Sequence, residues 1–241
     1  VRDVGGVGIA NQSSWGGIKT DEYNPWTDLV IRGNRVERSG RNAMIVRYST
    51  NPLVEYNVLA FSSRHGPGHS VFNFNTTGCV MQFNEAYGNT GTIDEPDHGG
   101  FDADYNARNT IIQYNYSHDN NWFAGIMRRY NEGVKIRYNI SQNELLGAYF
   151  YGFPGEYGLK DVEIYNNTHY FREGLNGQVF VQGVRNRVPI ETAFVNNIFY
   201  FRSSGTWGNV PSPEVTFENN LFYNIPPAGE AYVTEDPQFE N

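Results

Sequence analysis

Ile112-Gln113-Tyr114-Asn115-Tyr116-Ser117 is followed, 24 residues on, by Ile136-Arg137-Tyr138-Asn139-Ile140-Ser141. In both, an apolar residue stands three before the Asn, a polar one two before it and an aromatic one directly before it. That is the alternation of a short strand running into a turn. Tyr and Ile favour strands while Asn favours turns, so neither hexapeptide reads as helix.

The same pattern recurs on Asn34, Asn57, Asn84, Asn115, Asn139, Asn167, Asn197 and Asn220, at spacings of 23, 27, 31, 24, 28, 30 and 23 residues. Three positions before these anchors stand Ile31, Val54, Met81, Ile112, Ile136, Ile164, Phe194 and Phe217, all apolar. A strand this short cannot bury its apolar face alone, but strands stacked coil upon coil share one continuous core. Parallel strands spaced about 4.8 Å apart turn eight anchors into a rod on the order of 40 Å long. The Asn side chains are then placed to bond their counterparts above and below, satisfying turn backbone that would otherwise be buried unpaired. Directly before the anchors come Gly33, Tyr56, Phe83, Tyr114, Tyr138, Asn166, Asn196 and Asn219. The alternation predicts that these face inward, aromatic in the middle coils and amide-bearing in the last three.

The repeat resembles that of right-handed parallel β-helix proteins, and is similar to the bacterial polysaccharide lyase and glycoside hydrolase β-helix families. The resemblance covers nearly the whole chain. It implies an all-β solenoid of about eight to nine coils, forming one domain over residues 1–241. Val1-Arg2-Asp3-Val4 matches the stretch that starts at Val36, two residues past Asn34, so the chain is expected to enter in mid-coil as the C-terminal part of something longer. The close, Asp236-Pro237-Gln238-Phe239-Glu240-Asn241, resembles the Asp-Pro-x-Phe-x-Asn pieces that follow the last coil in bacterial members. Secretion or export to the periplasm, and a polysaccharide or oligosaccharide partner, follow from the same resemblance.

Composition narrows the classes. A net charge of −8 and a pI near 5.1 argue against a nucleic-acid partner, which needs a basic face. No run of 18 apolar residues exists to span a membrane. The single cysteine, Cys79, excludes an internal disulfide and reads as a buried thiol. Oligomeric state is left open.

The longest spacing, from Asn84 to Asn115, holds the densest acidic cluster: Asp94, Glu95, Asp97, His98, Asp102 and Asp104. Loops on one flank of a rigid solenoid are where function is grafted. Asp102 and Asp104 alternate with Phe101, Ala103 and Tyr105, so both carboxyls leave one face of a strand. Neighbouring carboxyls split their proton affinities or hold a cation. Aligning coils on Tyr48, Phe74, Tyr105 and Tyr130 predicts a column of Arg47, Asn73, Asp104 and Arg129. A second column runs through Ile45, Val71, Asp102 and Met127, with His65 and His69 overhanging. Asp102, Asp104, His69, Tyr105 and Arg129 are the candidate catalytic residues; Arg47, Asn73, His98, Arg128 and Trp122 are the candidate sugar contacts. Asp94, Glu95 and Asp97 have the oxygen chemistry for Ca²⁺ without any EF-hand spacing, and no other cofactor is implied. The competing reading of Asp102, Asp104 and Arg129 is a surface ion-pair ladder that only relieves repulsion between coils.

Three functions stay open. The resemblance puts first a lyase that abstracts a proton beside a uronate, with arginines neutralising the sugar carboxylate and His69 or Tyr105 as base. Lysine occurs only at positions 19, 135 and 160, so a lysine-base motif is unmatched. The second is a glycoside hydrolase working with the pair Asp102 and Asp104, with Asp97 or Glu95 as substitute partner. The Asp-Asp and Gly-His-Gly signatures of polygalacturonase-like members are absent. The third is a non-catalytic carbohydrate-binding or adhesion rod.

Overall fold

A computed structural model describes residues 1–11, 25–91, 97–127, 129–152, 158–182 and 189–239. Among them every regular element is a strand, and the strands stack in parallel into three long sheets. The anchor sheet runs from Val30–Arg32 through Leu53–Glu55, Val80–Gln82, Ile111–Gln113, Lys135–Arg137, Val162–Tyr165 and Thr192–Val195 to Thr216–Glu218. A second sheet follows directly in each coil, from Arg35–Glu37 to Leu221–Tyr223. The third, here the long-strand sheet, carries Met44–Thr50, Val71–Thr77, Gly99–Ala103, Trp122–Met127, Gly147–Gly152 and Gln178–Phe180 as successive neighbours. The chain is thus a parallel β-solenoid of about seven turns. The expected eight to nine is slightly high, because eight anchors delimit seven intervals.

The anchors form an unbroken ladder. The backbone N–H of Asn84 donates to Asn115 Oδ1 at 2.9 Å, that of Asn115 to Asn139 at 2.9 Å, and that of Asn139 to Asn167 at 3.1 Å. The chain of bonds continues from Asn34 at one end to Asn220 at the other. From Asn57 onward each side-chain amide also reaches back one coil to the carbonyl of the apolar residue three before the previous anchor. Asn115 Nδ2 donates to Met81 O and Asn139 Nδ2 to Ile112 O, both at 2.9 Å. Those apolar residues are all buried and fill the axis of the rod. Cys79 joins them as a buried thiol, and burial pushes its ionisation up.

The residues directly before the anchors face the other way from the expectation. Tyr56, Phe83, Tyr114 and Tyr138 are 42–56% exposed. The reason lies in the backbone: Gly33, these four aromatics, Asn166, Asn196 and Asn219 all have φ between 54° and 69°. A left-handed residue breaks the period of two and swings its side chain outward at the corner between two sheets. Glycine and Asn adopt that conformation readily, bulky residues rarely. The aromatics offset the strain by stacking, with Tyr56–Phe83, Phe83–Tyr114 and Tyr114–Tyr138 centroids 5.1, 5.3 and 5.2 Å apart and rings nearly parallel.

The last described residues cover the end of the rod. Phe222 N donates to Val233 O at 2.8 Å, Glu230 N to Phe217 O at 3.1 Å, and the Phe239 ring meets Tyr200 edge-on at 5.2 Å.

Replacing Asn115 by Ala leaves the Asn84 N–H without its acceptor and takes the amide donor from the Met81 carbonyl, and lowers stability by about 2 kcal/mol. Tyr114→Asn removes two stacking contacts but relieves a strained corner, and changes stability by less than about 1 kcal/mol. Urea denaturation midpoints of the two variants separate these effects.

Candidate functional site

The long-strand sheet carries the irregularities. Its outer face runs in register through Ile45, Phe72, Asp102, Gly125 and Phe150. In that column Asp102 replaces an apolar residue, and Gly125 leaves it room: a Cβ on Gly125 would lie 2.5 Å from Asp102 Oδ1. Gly99 does the same for Trp122, whose ring occupies the space a side chain there would need.

A bulge follows. Ala103 pairs with Asn73 and Ala107 with Thr76, so four steps on one strand oppose three on the other. The extra residue falls at Asp104–Tyr105, where Asp104 N donates to Asn73 O at 3.2 Å and Asn75 N donates to Tyr105 O at 2.7 Å. Bulges re-aim side chains, and they gather beside active sites. This one also corrects the predicted columns. Aligning on closing aromatics ignores the inserted residue, and a slip of one position exchanges the two faces of a strand. Asn73 accordingly lies inside the rod, buried, with Nδ2 donating to Thr76 and Thr110 Oγ1 at 2.6 and 2.7 Å. Val71 pairs with Phe101 as part of the core, and the outward neighbour of Asp102 is Phe72.

These features border a cleft of about 340 Å³ lined by His69, Asp97, Asp102, Asp104, Tyr105 and Arg41, with Ile45, Phe72, Met127 and Phe150 as its apolar wall. Asp102 has no exposed surface; His69 is 4% exposed, Asp104 is half-buried, and the Asp97 side chain is 42% exposed. His69 Nε2 lies 3.2 Å from Asp102 Oδ2 and 3.6 Å from Asp97 Oδ1. Both Asp102 oxygens are buried without a well-aligned hydrogen bond among the described residues. Burial, then the charges of Asp104 and Asp97, drive Asp102 well above the usual carboxylate range. Burial and the Asp97 charge raise Asp104 to about 8, against the opposing pull of the Tyr105 backbone and Arg129. Burial lowers His69 to about 4, which keeps the imidazole neutral, and raises Tyr105 to about 12.

The other predicted contacts among the described residues are not part of the cleft lining. Arg129 sits over the Tyr105 ring, 4.6 Å from its centroid. Arg47, on the first long strand, donates from Nε to Asn11 O at 3.3 Å. Trp122 is 1% exposed and stacks on Phe150 at 5.2 Å, beneath the wall. His98 is 2% exposed, its ring filling the space over Gly91. Asp94, Glu95 and Arg128 lie outside the described residues. No group of three or more His, Cys, Asp or Glu among the described residues is disposed to hold a metal ion.

Sequence reasoning set Ile45 and Met127 in the column of Asp102 but did not single out Arg41, Phe72 or Phe150. Outward Ile45 and Phe72, on strands whose outward positions should be polar, were the available signal. It also passed over Glu144, a fully buried carboxyl at another corner, raised to about 8 by burial. There Ser117 Oγ donates at 2.5 Å and Asn120 N at 2.8 Å.

No family model matches the chain. It is 30% identical, over 226 residues, to a lacto-N-biosidase of Bifidobacterium longum subsp. longum; the match takes in 82% of this chain and 13% of that protein. The chain therefore spans about an eighth of that relative. Among solved structures it superposes on a mutant tailspike protein of E. coli bacteriophage HK620 in complex with a pentasaccharide. The TM-score is 0.64 and the identity 12%, with 86% of this chain and 40% of that one covered. At that identity the likeness is one of fold, and it agrees with the parallel solenoid.

The buried groups set a pH dependence. Asp102, Asp104 and Glu144 hold protons more tightly folded than unfolded, so their contribution to stability is full below the unfolded carboxylate range and falls as pH rises toward 8. His69 and His169, lowered by burial to about 4 and about 3, act oppositely, adding stability as pH rises to their ordinary value of 6.5. Between pH 6.5 and 8 the carboxyls act alone, and the thermal midpoint falls across that window. Glu144→Gln reduces the slope by roughly a third, which differential scanning calorimetry at stepped pH reads directly.

Proposed function

We propose that the chain carries the reacting carboxyl pair of a glycoside hydrolase that cleaves a neutral oligosaccharide outside the cytoplasm. The observation that carries this reading is the juxtaposition of an accessible carboxylate, Asp97, with a half-buried carboxyl, Asp104, that the site keeps protonated at neutral pH. One proton shared between two carboxyls that face one cleft is the starting state of glycosidic cleavage. Asp104 gives its proton to the leaving oxygen. Asp97 either attacks the anomeric carbon or activates water, according to the separation of the two groups across the sugar. The name of the Bifidobacterium relative, that of a glycosidase, points the same way.

This order reverses the one suggested by the family resemblance, in which elimination at a uronate came first. Arg41 is the one cation among the described residues that line the cleft, facing three carboxyls, and His69 is neutral. An anionic sugar is repelled there, whereas a neutral one lays an apolar face on Ile45, Phe72, Met127 and Phe150.

Activity on a panel of aryl glycosides and neutral oligosaccharides tests the reading, with product release followed by chromatography. Asp104→Asn and Asp97→Asn each lower kcat/KM by about 1000-fold or more. Azide restores turnover to the variant lacking the nucleophile if the reaction runs through a glycosyl-enzyme. Products that absorb in the ultraviolet identify a lyase instead, and sugar binding without cleavage in the parent protein identifies a binding rod.

A further inference from the structure

The corners of the rod follow one rule for asparagine. Among the described residues, a buried Asn whose Oδ1 takes a backbone N–H from a neighbouring coil sends its Nδ2 back to a carbonyl of that same coil. The anchors do so from Asn57 to Asn220. Asn120 does it with Asn89 N and Ala86 O at 3.0 and 2.9 Å, Asn131 with Ala107 N and Ala103 O at 2.8 and 2.7 Å, and Asn121 with the two backbone groups of Gly91. Asn42 is the exception. Its Oδ1 takes the His69 N–H at 2.6 Å, but its Nδ2 returns to no described residue. Only the oxygen end can face an N–H, so the amide has one orientation, with its two donors turned away from His69 N. The residue is also held by its backbone: Asn42 O accepts from Gly8 N at 3.1 Å, and a Cβ on Gly68 would lie 2.6 Å from Asn42 N.

Asn42 is 8% exposed and lines the cleft together with His69, and its Nδ2 is not among the polar atoms sealed from solvent. An amide whose acceptor is fixed by the fold, and whose donors are left over beside a cleft, is a preorganised donor for what enters there. The cleft has use for one. Asp97, Asp102 and Asp104 bring carboxyl oxygens to it, which suit the hydroxyl protons of a sugar and leave the sugar's own oxygens without donors.

We propose that Asn42 is a specificity-determining residue that donates from Nδ2 to an oxygen of the neutral sugar bound in the cleft. The inference deepens the glycosidase reading and rests on it for the occupant. It stands on the odd amide at this corner, held from the protein side at one end only. The bond selects sugars that carry an oxygen at that place, because an analogue without it leaves the amide N–H unpaired inside the complex.

Calorimetric affinities of the full chain and of its Asn42→Ala variant test this. The probe is the neutral oligosaccharide that the parent protein binds most tightly on a glycan array, with the set of its monodeoxy derivatives. The parent binds one derivative, that lacking the oxygen met by Asn42, about tenfold more weakly than the complete sugar, and Asn42→Ala binds the two within about twofold of each other. A residue that only holds the corner lowers all affinities alike. Equal losses across the set in Asn42→Ala, or a parent that discriminates against no derivative, overturn the proposal. If Asn42→Ala does not fold, the side-chain amide signal of Asn42 in the ¹H–¹⁵N spectrum of the parent decides. A shift on saturation with the complete sugar that the weakly bound derivative fails to produce supports the bond, and an unshifted signal overturns it. If the parent binds the sugar but cleaves no glycoside, the glycosidase reading fails alone and the affinities still decide. A parent that binds no neutral sugar overturns both.

Discussion

The constraint on which the structure depends is the backbone N–H at the corner after each anchor strand. In a sheet, N–H groups point sideways to a neighbouring strand, but at a left-handed corner the ladder is interrupted and the donor is buried with nothing opposite. One Asn per coil resolves this along the axis: its Oδ1 accepts from the coil on one side and its Nδ2 donates back into that same coil's strand. The bond repeats at 2.8–3.1 Å from Asn34 to Asn220. Coils of 23 to 31 residues are therefore held in one register although their other connections differ in length.

That rigidity at one corner is what permits irregularity at another. The long-strand sheet holds a bulge at Asp104–Tyr105, a glycine opposite Asp102, and a tryptophan folded over Gly99. Each would invite register slip in an isolated sheet, and each is tolerated where the anchor sheet has already paired every coil. Burying carboxyls together is unfavourable, and only a scaffold with stability from elsewhere carries them. The cleft is thus the consequence of a regular core together with a few positions released from it.

The fold was legible because it rests on a repeated local rule. Asn and an apolar residue three before it recur eight times, and both periodicity and chemistry point to the same stacking. The direction of Tyr56, Phe83, Tyr114 and Tyr138 was not legible, because an alternation rule assumes extended backbone and one left-handed residue inverts it. Similarly, Asp102 and Asp104 were visible as a pair and do meet in the cleft, but Asn73 was assigned to its wall. Aligning aromatics treats Tyr105 as equivalent to Phe74, whereas the bulge places Asn106, the next left-handed corner, against Asn75. Insertions of one residue leave no trace in composition. The approach of Asp97 to His69 depends on contacts between segments nearly thirty residues apart, which no local pattern encodes.

Two buried carboxyls in one rod show how burial divides into structure and chemistry. Glu144 and Asp102 are equally removed from solvent, and burial raises both. Glu144 accepts from Ser117 and from the Asn120 backbone, and Asn120 in turn accepts from Asn89 N at 3.0 Å. It thereby terminates a second, shorter amide ladder, and its oxygens are used by the fold. Among the described residues Asp102 has no such donors; it faces a bare glycine, and a neutral imidazole is its polar neighbour. A carboxyl buried for architecture is satisfied by architecture. One that the fold buries and leaves unsatisfied among the described residues, at the floor of a cleft with two further carboxyls, is retained against its own desolvation cost, and that difference in partners sets Asp102 apart from Glu144.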